Sequence, residues 1–287
     1  SLDADRGFVI KDAKADFSYT AEAMKLEGLT LKTEKSIIKG DLIFSYGEKG
    51  LGDFINGVTI DASFDETTLA TDDINAWYNE FGPDQLIQVD GNFNGTLNDF
   101  TFSETEIISG GNQIYGTYVV KNLLNEEDFS IIATNHNLNT SYYELRRFMP
   151  RILGDVLPTQ LKDLGPVSFR GNTTITQTKL ITDSGVTTAL GTADLDLEMN
   201  NYTNPNTASY VGSAVVTKFN LGKIAGTPSL GALTANLTFD GRGFSQETLN
   251  TKVKGKVSSF TFQDYTYTNI EVEGLLKNPI FDGDLII

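Results

Sequence analysis

Alternation between apolar and polar residues is the feature that most constrains the fold of this chain. It is clear over residues 58–65, 194–199 and 233–240, and it recurs along most of the sequence. Successive side chains of a β-strand point to opposite faces of its sheet, so a period of two predicts strands with one apolar and one polar face. Asn56-Gly57 predicts a turn between strands, and a slip in the alternation at Glu27-Gly28 predicts a β-bulge.

The apolar positions of these strands are predicted to share one interior surface. Gly91 and Gly95 alternate with apolar residues on that side of one strand, which indicates a crowded interior or a tight corner. The side chains expected to contribute to the interior are Leu42, Phe44, Phe93, Leu97, Phe100, Phe102, Leu195, Leu197, Leu237, Phe239, Val257, Phe260 and Phe262.

One long segment has helical spacing instead. Within residues 139–165 the apolar residues recur at i, i+3, i+4 and i+7, the period of an amphipathic helix. Ser141 and Glu144 have the spacing of a capping box, which predicts a helix start near Tyr142. Pro150 is expected to kink this helix, and Pro158 suits the first turn of a second short helix. The simplest role for the segment is to cap an open end of the β structure, and direct contact with a partner or a membrane is the alternative.

A second, shorter helix is predicted over residues 71–81, where Ile74, Trp77 and Phe81 recur at helical spacing before Gly82-Pro83. Trp77 is the only tryptophan, and we expect it to make a core or seam contact.

Three segments follow from these patterns. Residues 1–138 are predicted to be an N-terminal β-repeat segment with the helix near residues 71–81, residues 139–166 a kinked helical insert or plug, and residues 167–287 a C-terminal β-repeat segment. Residues 95–102 and 255–262 share the pattern Gly-x-[Leu/Val]-x-x-Phe-Thr-Phe, which supports a stacked, repetitive array. The predicted fold is therefore all-β, an elongated and repetitive antiparallel sheet with two short amphipathic helices.

Composition excludes several classes of partner and chemistry. A formal net charge of −16 disfavours nucleic acid and electrostatic docking on anionic lipid. The absence of cysteine removes disulfides, thiolate catalysis and thiolate metal ligands, and it suits a bacterial envelope compartment. No apolar run approaches the length of a membrane-spanning helix, and the N-terminal residues lack the apolar core of a signal peptide. We expect any targeting signal or anchor to lie in a longer protein of which this chain is a fragment.

Candidate catalytic and metal-binding residues are weak. His136 is the only histidine, and its polar neighbours over residues 134–137 predict a solvated loop side chain. Asp194, Asp196 and Glu198 lie on one predicted strand face, where hydration is a simpler interpretation than Ca²⁺ binding. Nucleotide-binding, nucleophile-elbow and zinc-protease signatures are absent. We predict a protein that is not an enzyme and that uses no metal or cofactor.

A row of strands with one apolar face needs something to cover that face. If two short helices are the only cover, part of the face must line a groove, and acyl chains are a suitable occupant. The alternative is a closed β-helix or sandwich whose apolar faces seal against one another.

Several runs of residues resemble a known family. The run Gly274-Leu-Leu-Lys-Asn-Pro-Ile-Phe-Asp-Gly-Asp-Leu285, residues 24–53, the helical segment followed by residues 164–171, and the run Phe219-Asn-Leu-Gly222 are similar to AsmA and TamB-type translocation and assembly proteins of diderm bacteria. The resemblance spans the whole chain and is carried by short, glycine-rich motifs in combination.

The resemblance implies a long sheet curled into a β-taco with an apolar groove. It implies a periplasmic protein anchored in the inner membrane by a segment outside this fragment, which supports phospholipid transport to, and assembly of, the outer membrane. The implied partners are phospholipid acyl chains and an Omp85-type outer-membrane barrel. Two other hypotheses stay open: a periplasmic scaffold that assists outer-membrane protein assembly by β-augmentation, and a β-solenoid that binds glycan.

Overall fold

A computed structural model describes residues 2–3, 9–47, 50–76, 78–125, 128–154, 157, 159–245, 247–277 and 280–286. Trp77 and Pro158, for which roles were predicted above, lie outside the described residues, as does the Asn-Pro pair at 278–279 of the family-like run. The chain divides into two compact units, Ser1–Pro158 and Thr159–Ile287, so the boundary falls inside the segment predicted to be a helical insert.

The first unit is built from antiparallel strands that follow one another in sequence order. Two short strands, β1 (Leu2–Asp3) and β2 (Val9–Ile10), pair with each other. The eight longer strands are β3 (Asp12–Tyr19), β4 (Ala23–Lys32), β5 (Ile37–Ser45), β6 (Thr59–Ala70), β7 (Leu86–Gly95), β8 (Phe100–Ser109), β9 (Asn112–Lys121) and β10 (Ser130–Ser141).

The second unit repeats this arrangement. Its strands are β11 (Pro166–Thr176), β12 (Lys179–Thr188), β13 (Gly191–Asn200), β14 (Ser209–Asn220), β15 (Leu230–Arg242), β16 (Asn250–Phe262), β17 (Tyr265–Lys277) and β18 (Ile280–Ile286).

Strands β3 to β18 form one antiparallel sheet of sixteen strands, ordered as they occur in the chain. The predicted all-β class and the long antiparallel sheet are therefore confirmed. The β-taco implied by the family resemblance concerns the curvature of this sheet, which strand order does not determine, so it stays a prediction.

Strand register assigns the apolar and polar residues to opposite faces within each unit. Leu42 is opposite Ala62, Ala62 is opposite Phe93, and Phe93 is opposite Phe102, so these four side chains lie on one face. The buried core of the first unit lies on this face and includes Ile60 and Ala62. In the second unit Ala235, Val257 and Ile270 form a buried cluster on the equivalent face.

Glycines lie at the positions where the apolar and polar alternation was predicted to be interrupted or crowded. The register between β4 and β5 shifts between Leu26 and Leu29, and Gly28 adopts a left-handed φ of 62° there, so the predicted bulge at Glu27-Gly28 is confirmed. Gly91 and Gly95 both lie within β7 with positive φ, and a Cβ added to Gly95 would come within 2.3 Å of the Asp99 carbonyl oxygen. The crowding predicted at these glycines comes from the backbone of the neighbouring strand.

The first helix is shorter than its sequence pattern predicts. Helix α1 spans Thr71–Asn75, and the predicted continuation to Phe81 is wrong. Asn75 explains the early end, because its side chain donates to the Phe81 carbonyl oxygen and accepts from the Phe81 N–H, at 3.0 Å each. The side-chain NH2 group and the side-chain oxygen of Asn75 therefore both close a loop, instead of facing solvent from a longer helix.

The second helix begins where it was predicted. Helix α2 spans Tyr142–Phe148, and the Ser141 hydroxyl accepts the Glu144 N–H at 3.2 Å. The reciprocal half of the capping box is wrong, because the Glu144 carboxylate instead accepts the Gly111 N–H at 3.0 Å and pairs with Arg147 at 2.8 Å.

Pro150 divides the helical segment instead of kinking one helix. Helix α3 spans Pro150–Leu153 with Pro150 at its first position, and a 3-10 helix follows over Thr159–Leu164. Helix α4 spans Leu221–Ala225 and was not predicted. No helix in the described part of the chain is both long and apolar enough to cross a bilayer.

The helices reveal a repeat of four strands. Helices α1, α2 and α4 follow β6, β10 and β14, so a helix comes after every fourth strand. The sequence echo does not mark this repeat. Residues 95–102 run from the end of β7 through a turn into β8, whereas residues 255–262 lie inside β16.

Candidate functional site

The candidate site is the apolar face of the sheet, described here separately for each unit. In the first unit it contains a row of facing residues that crosses seven strands from β4 to β10. The row consists of Leu26, Leu42, Ala62, Phe93, Phe102, Tyr118 and Ala133.

A second row runs beside the first. It consists of Met24, Phe44, Ile60, Gly95, Phe100, Val120 and Ile131. Five residues predicted for the interior therefore lie together in these two rows: Leu42, Phe44, Phe93, Phe100 and Phe102.

Aromatic contacts join the rows. The ring centroids of Phe93 and Phe100 are 4.8 Å apart in a stacked arrangement, and that of Phe102 lies 6.2 Å from both Phe93 and Phe64 in edge-to-face arrangements. Gly95 is opposite Phe100 in the second row, where its lack of a side chain permits close approach to the Phe100 backbone. The result is a continuous aromatic patch over β6, β7 and β8.

The second unit carries a matching face. One row crosses β12 to β18 and another runs beside it, and together they contain Leu195, Leu197, Leu237 and Phe239. Further along β16, Val257 is opposite Ile270 and Phe260 is opposite Tyr267. All seven residues predicted for the second half share this face: Leu195, Leu197, Leu237, Phe239, Val257, Phe260 and Phe262.

Burial distinguishes this face from a sealed core. Of the thirteen predicted residues, Val257 is buried, at 7% exposure, and eleven others on the strands are half-buried. Leu97 is the exception and its prediction is wrong. It lies in the turn between β7 and β8 and is 39% exposed, because the Thr96 hydroxyl accepts the Asp99 N–H at 3.0 Å and closes a turn there.

Two further residues, Tyr118 and His136, lie on the apolar face and were not predicted there. Tyr118 lies in the first row and donates from its hydroxyl to the Tyr115 carbonyl oxygen at 3.1 Å, and burial raises its pKa to about 12. Tyr118 has the same parity as Ile114 and Val120 in residues 114–120, and this parity could have predicted that it lies on the apolar face. His136 is also on this face, since it lies in β10 and is 4% exposed, so the prediction of a solvated loop histidine is wrong.

The opposite face carries charged residues in cross-strand pairs. Lys254 and Glu273 are directly opposite each other on β16 and β17, and their charged atoms are 2.9 Å apart. On β12 and β13, Lys179 lies 2.8 Å from Glu198, and the hydrogen bond from that lysine lowers the pKa of the Glu198 carboxyl. Among the described residues, no group of three or more acidic, histidine or cysteine side chains is arranged to hold a metal ion.

A depression in the second unit lies mainly on this charged face. Its volume is about 800 Å³, and its walls include Asp240, Lys252, Leu275 and Asp282, which form a cross-strand row on the same side of the sheet as Lys254. Phe239 and Val253, which belong to the apolar face, also border this depression.

Comparisons with protein-family models, with curated proteins and with solved structures give no match to this chain.

Proposed function

We propose that this chain is a non-enzymatic segment of a periplasmic lipid conduit, whose apolar face holds phospholipid acyl chains during transport to the outer membrane. The observation that carries the proposal is that eleven of the thirteen residues predicted for the apolar interior are half-buried, in both units. A sealed sandwich would bury these side chains, whereas side chains that keep part of their surface exposed can accept a hydrocarbon chain.

The chemistry of the face suits a mobile cargo. Hydrophobic contact is non-directional and scales with the apolar area removed from water, so an acyl chain can slide along the rows without breaking specific bonds. The aromatic patch around Phe93, Phe100 and Phe102 provides broad, flat contact surface in the first unit. Leu237 and Phe260, which pack beside the buried cluster, extend equivalent contact in the second.

The cellular setting of the proposal rests on the family resemblance. TamB-like and AsmA-like runs in the sequence support a periplasmic location in a diderm bacterium, an inner-membrane anchor outside this chain and an Omp85-type barrel as partner. The curl of the sheet into a taco is part of the same proposal. It is supported by the register shifts near Gly28 and Glu66, because a β-bulge bends the strand that carries it.

Lipid co-purification tests the proposal. We expect native mass spectrometry of the protein produced in a bacterial periplasm to detect bound phospholipid, and expect Phe102→Asp and Phe260→Asp to remove it, because a charge on the face repels hydrocarbon. Thr101→Asp and Thr261→Asp are matched controls, since these residues are neighbours in sequence that point to the charged face. Lipid absent from the wild-type protein, or equally retained by all four variants, would contradict the conduit.

A second candidate is a scaffold that binds an unfolded outer-membrane protein by β-augmentation. Strand β3 favours it, because among the described residues β3 pairs with β4 on one side only, and Phe17 and Tyr19 on it are 61% and 66% exposed. Its edge nevertheless carries Asp12, Lys14 and Asp16, which discourage strand addition. A co-purifying peptide in place of lipid would favour this candidate.

A further inference from the structure

The first unit exposes apolar side chains at one end of its strands. The connections from β5 to β6, from β7 to β8 and from β9 to β10 all lead from an odd to an even strand, so they lie at the same end of the antiparallel sheet. Each carries exposed apolar residues, which together we name the loop rim: Leu51, Phe54, Ile55, Leu97, Leu123 and Leu124.

The loop rim is a nearly regular array. Neighbouring connections are separated by two strands, or about 10 Å, so the rim extends about 20 Å along the edge of the first unit. The opposite end of this unit also exposes apolar side chains, such as Leu86 and Tyr143, but there helices α1 and α2 follow the strands and the ion pairs of Lys35 with Asp72 and of Glu144 with Arg147 lie among them. Exposed apolar side chains at tips arranged along a line match a flat apolar layer better than a concave pocket.

Several backbone N–H groups of the loop rim already have hydrogen-bond partners within the rim. The Leu123 N–H donates to the Asn98 carbonyl oxygen at 3.0 Å, and the Leu124 N–H donates to the Asn98 side-chain oxygen at 2.9 Å. In the β5–β6 loop, the Asp53 carboxylate accepts the Asn56 N–H at 3.1 Å. The amide groups of Leu123, Leu124 and Asn56 therefore keep a hydrogen-bond partner in a less polar medium, and unpaired amide groups are the main cost of placing a loop against hydrocarbon.

The charge of the loop rim indicates which kind of lipid surface it can contact. Residues 50–57, 96–99 and 122–125 contain two carboxylates, Asp53 and Asp99, and no lysine or arginine. Lys49 and Lys121 directly precede two of these ranges, but the acidic run 126–128 directly follows the last one, so the rim and its flanks carry a net negative charge. An anionic lipid surface would repel this rim, whereas a zwitterionic surface would not.

We infer that the loop rim of the first unit docks on a zwitterionic bilayer surface and inserts its leucine, isoleucine and phenylalanine tips into the interface. This inference goes beyond the conduit, because it concerns the strand ends and not the apolar face, and neither requires the other.

Co-sedimentation of the full chain with phosphatidylcholine vesicles tests the docking. We expect the wild-type protein to sediment with the vesicles, and expect Leu123→Ser/Leu124→Ser to weaken the apparent affinity by about tenfold or more, as the lost burial of two leucines requires. Leu86→Ser/Tyr143→Ser is the matched control, since both residues are exposed, at 55% and 67%, near the opposite end of the strands, and we expect it to bind like the wild type.

Two further measurements complete the test. Replacing part of the phosphatidylcholine by phosphatidylglycerol should weaken binding at low salt, and added salt should restore it. A Leu124→Trp variant should gain blue-shifted emission with vesicles relative to the wild type. The inference is overturned if the wild type does not sediment, if both double variants bind equally, or if a protein from the periplasm binds the rim while vesicles do not. Lipid detected by native mass spectrometry in solution is independent of these results, so failure here leaves the conduit standing.

Discussion

At the residue scale, turn chemistry competes with strand alternation, and the outcome at each site follows from one or two side chains. Phe93, Phe100 and Phe102 could be assigned to the apolar face from their parity alone, because nothing interrupts the strands that carry them. Leu97 has the same parity, but the Thr96 hydroxyl, which accepts the N–H groups of Asn98 and Asp99, ends β7 before it. Strand alternation can therefore be read from the sequence, whereas a strand end that depends on one hydroxyl, such as that of Thr96, cannot be predicted in the same way.

Glycines on the apolar face are expected to be required for close approach of the strands. In Gly95→Ala the new Cβ would come within 2.3 Å of the Asp99 carbonyl oxygen and 2.6 Å of the Phe100 Cα, and both are backbone atoms. Gly28→Ala is the matched control, because Gly28 has a φ of 62° with no atom within 4 Å of the added Cβ. We expect Gly28→Ala to lower the free energy of unfolding by about 1 kcal/mol and Gly95→Ala by at least about twice that. Equal losses in urea titrations would contradict this account of the crowding.

At the element scale, capping and periodicity predict the start of α2, whereas a contact outside the helix sets the end of α1; α4 was missed although Asn220 and Gly226 cap it locally. Ser141 and the apolar stripe after it fix the start of α2 at Tyr142. Helix α1 ends early because Asn75 bonds Phe81, and the loop after it is held to α2 by the hydrogen bond from the Gly82 N–H to the Phe148 carbonyl oxygen. Contacts between residues that are far apart in sequence, such as Gly82 and Phe148, cannot be predicted from the local sequence pattern.

The cap of α2 should contribute measurably to stability. We expect Ser141→Ala to lower the free energy of unfolding by about 1 kcal/mol, because it removes the acceptor of the Glu144 N–H. Ser141→Thr keeps a hydroxyl at the cap and should lose much less. Urea denaturation followed by circular dichroism provides the comparison, and an equal loss in both variants would show that the hydroxyl is not what stabilises the helix start.

The junction between α1 and the β4–β5 turn should be sensitive to acid. The hydrogen bond from Lys35 lowers the pKa of the Asp72 carboxyl below its ordinary value of 3.8. A lowered folded-state pKa stabilises the fold fully above the ordinary pKa, and this stability is lost as the pH falls through the lowered value. We therefore expect the difference in Tm between wild type and Lys35→Met to be constant from pH 7 to about pH 5 and to shrink below pH 4.

Lys121→Met serves as the control for this titration, because Lys121 is an exposed lysine at the end of β9. Its difference in Tm from wild type should not follow the same acid transition. A Lys35→Met difference that persists unchanged at the lowest pH would contradict the role assigned to Asp72.

At the scale of the whole molecule, the all-β class and the long antiparallel sheet could be predicted, whereas its curvature could not. Alternation in residues 58–65 and 233–240 is a local property that each strand reports independently. The bend of a sheet depends on small twists accumulated over many strands and on bulges such as those at Gly28 and Glu66, whose sizes a sequence does not encode legibly.

Local pairing predicts local unfolding. Every strand from β3 to β18 pairs with its neighbours in sequence, as in repeat proteins whose stability is a sum of adjacent contributions. We expect Gly95→Ala to increase hydrogen exchange in β6, β7 and β8 while β15, β16 and β17 keep their wild-type protection. Loss of protection across both units to the same extent would show that the chain unfolds as one cooperative body.

The central claim is that hydrocarbon lies on the apolar face, and photo-crosslinking tests it most directly. A photoreactive phenylalanine analogue placed at Phe102 or Phe260 would contact an acyl chain on that face, and the same analogue at Thr101 or Thr261 would point to the charged face. We predict that irradiation of the protein in a bacterial periplasm gives phospholipid adducts, detected by mass, at Phe102 and Phe260 and none at Thr101 or Thr261. Adducts that are absent from all four positions, or equally abundant at all four, would contradict the claim.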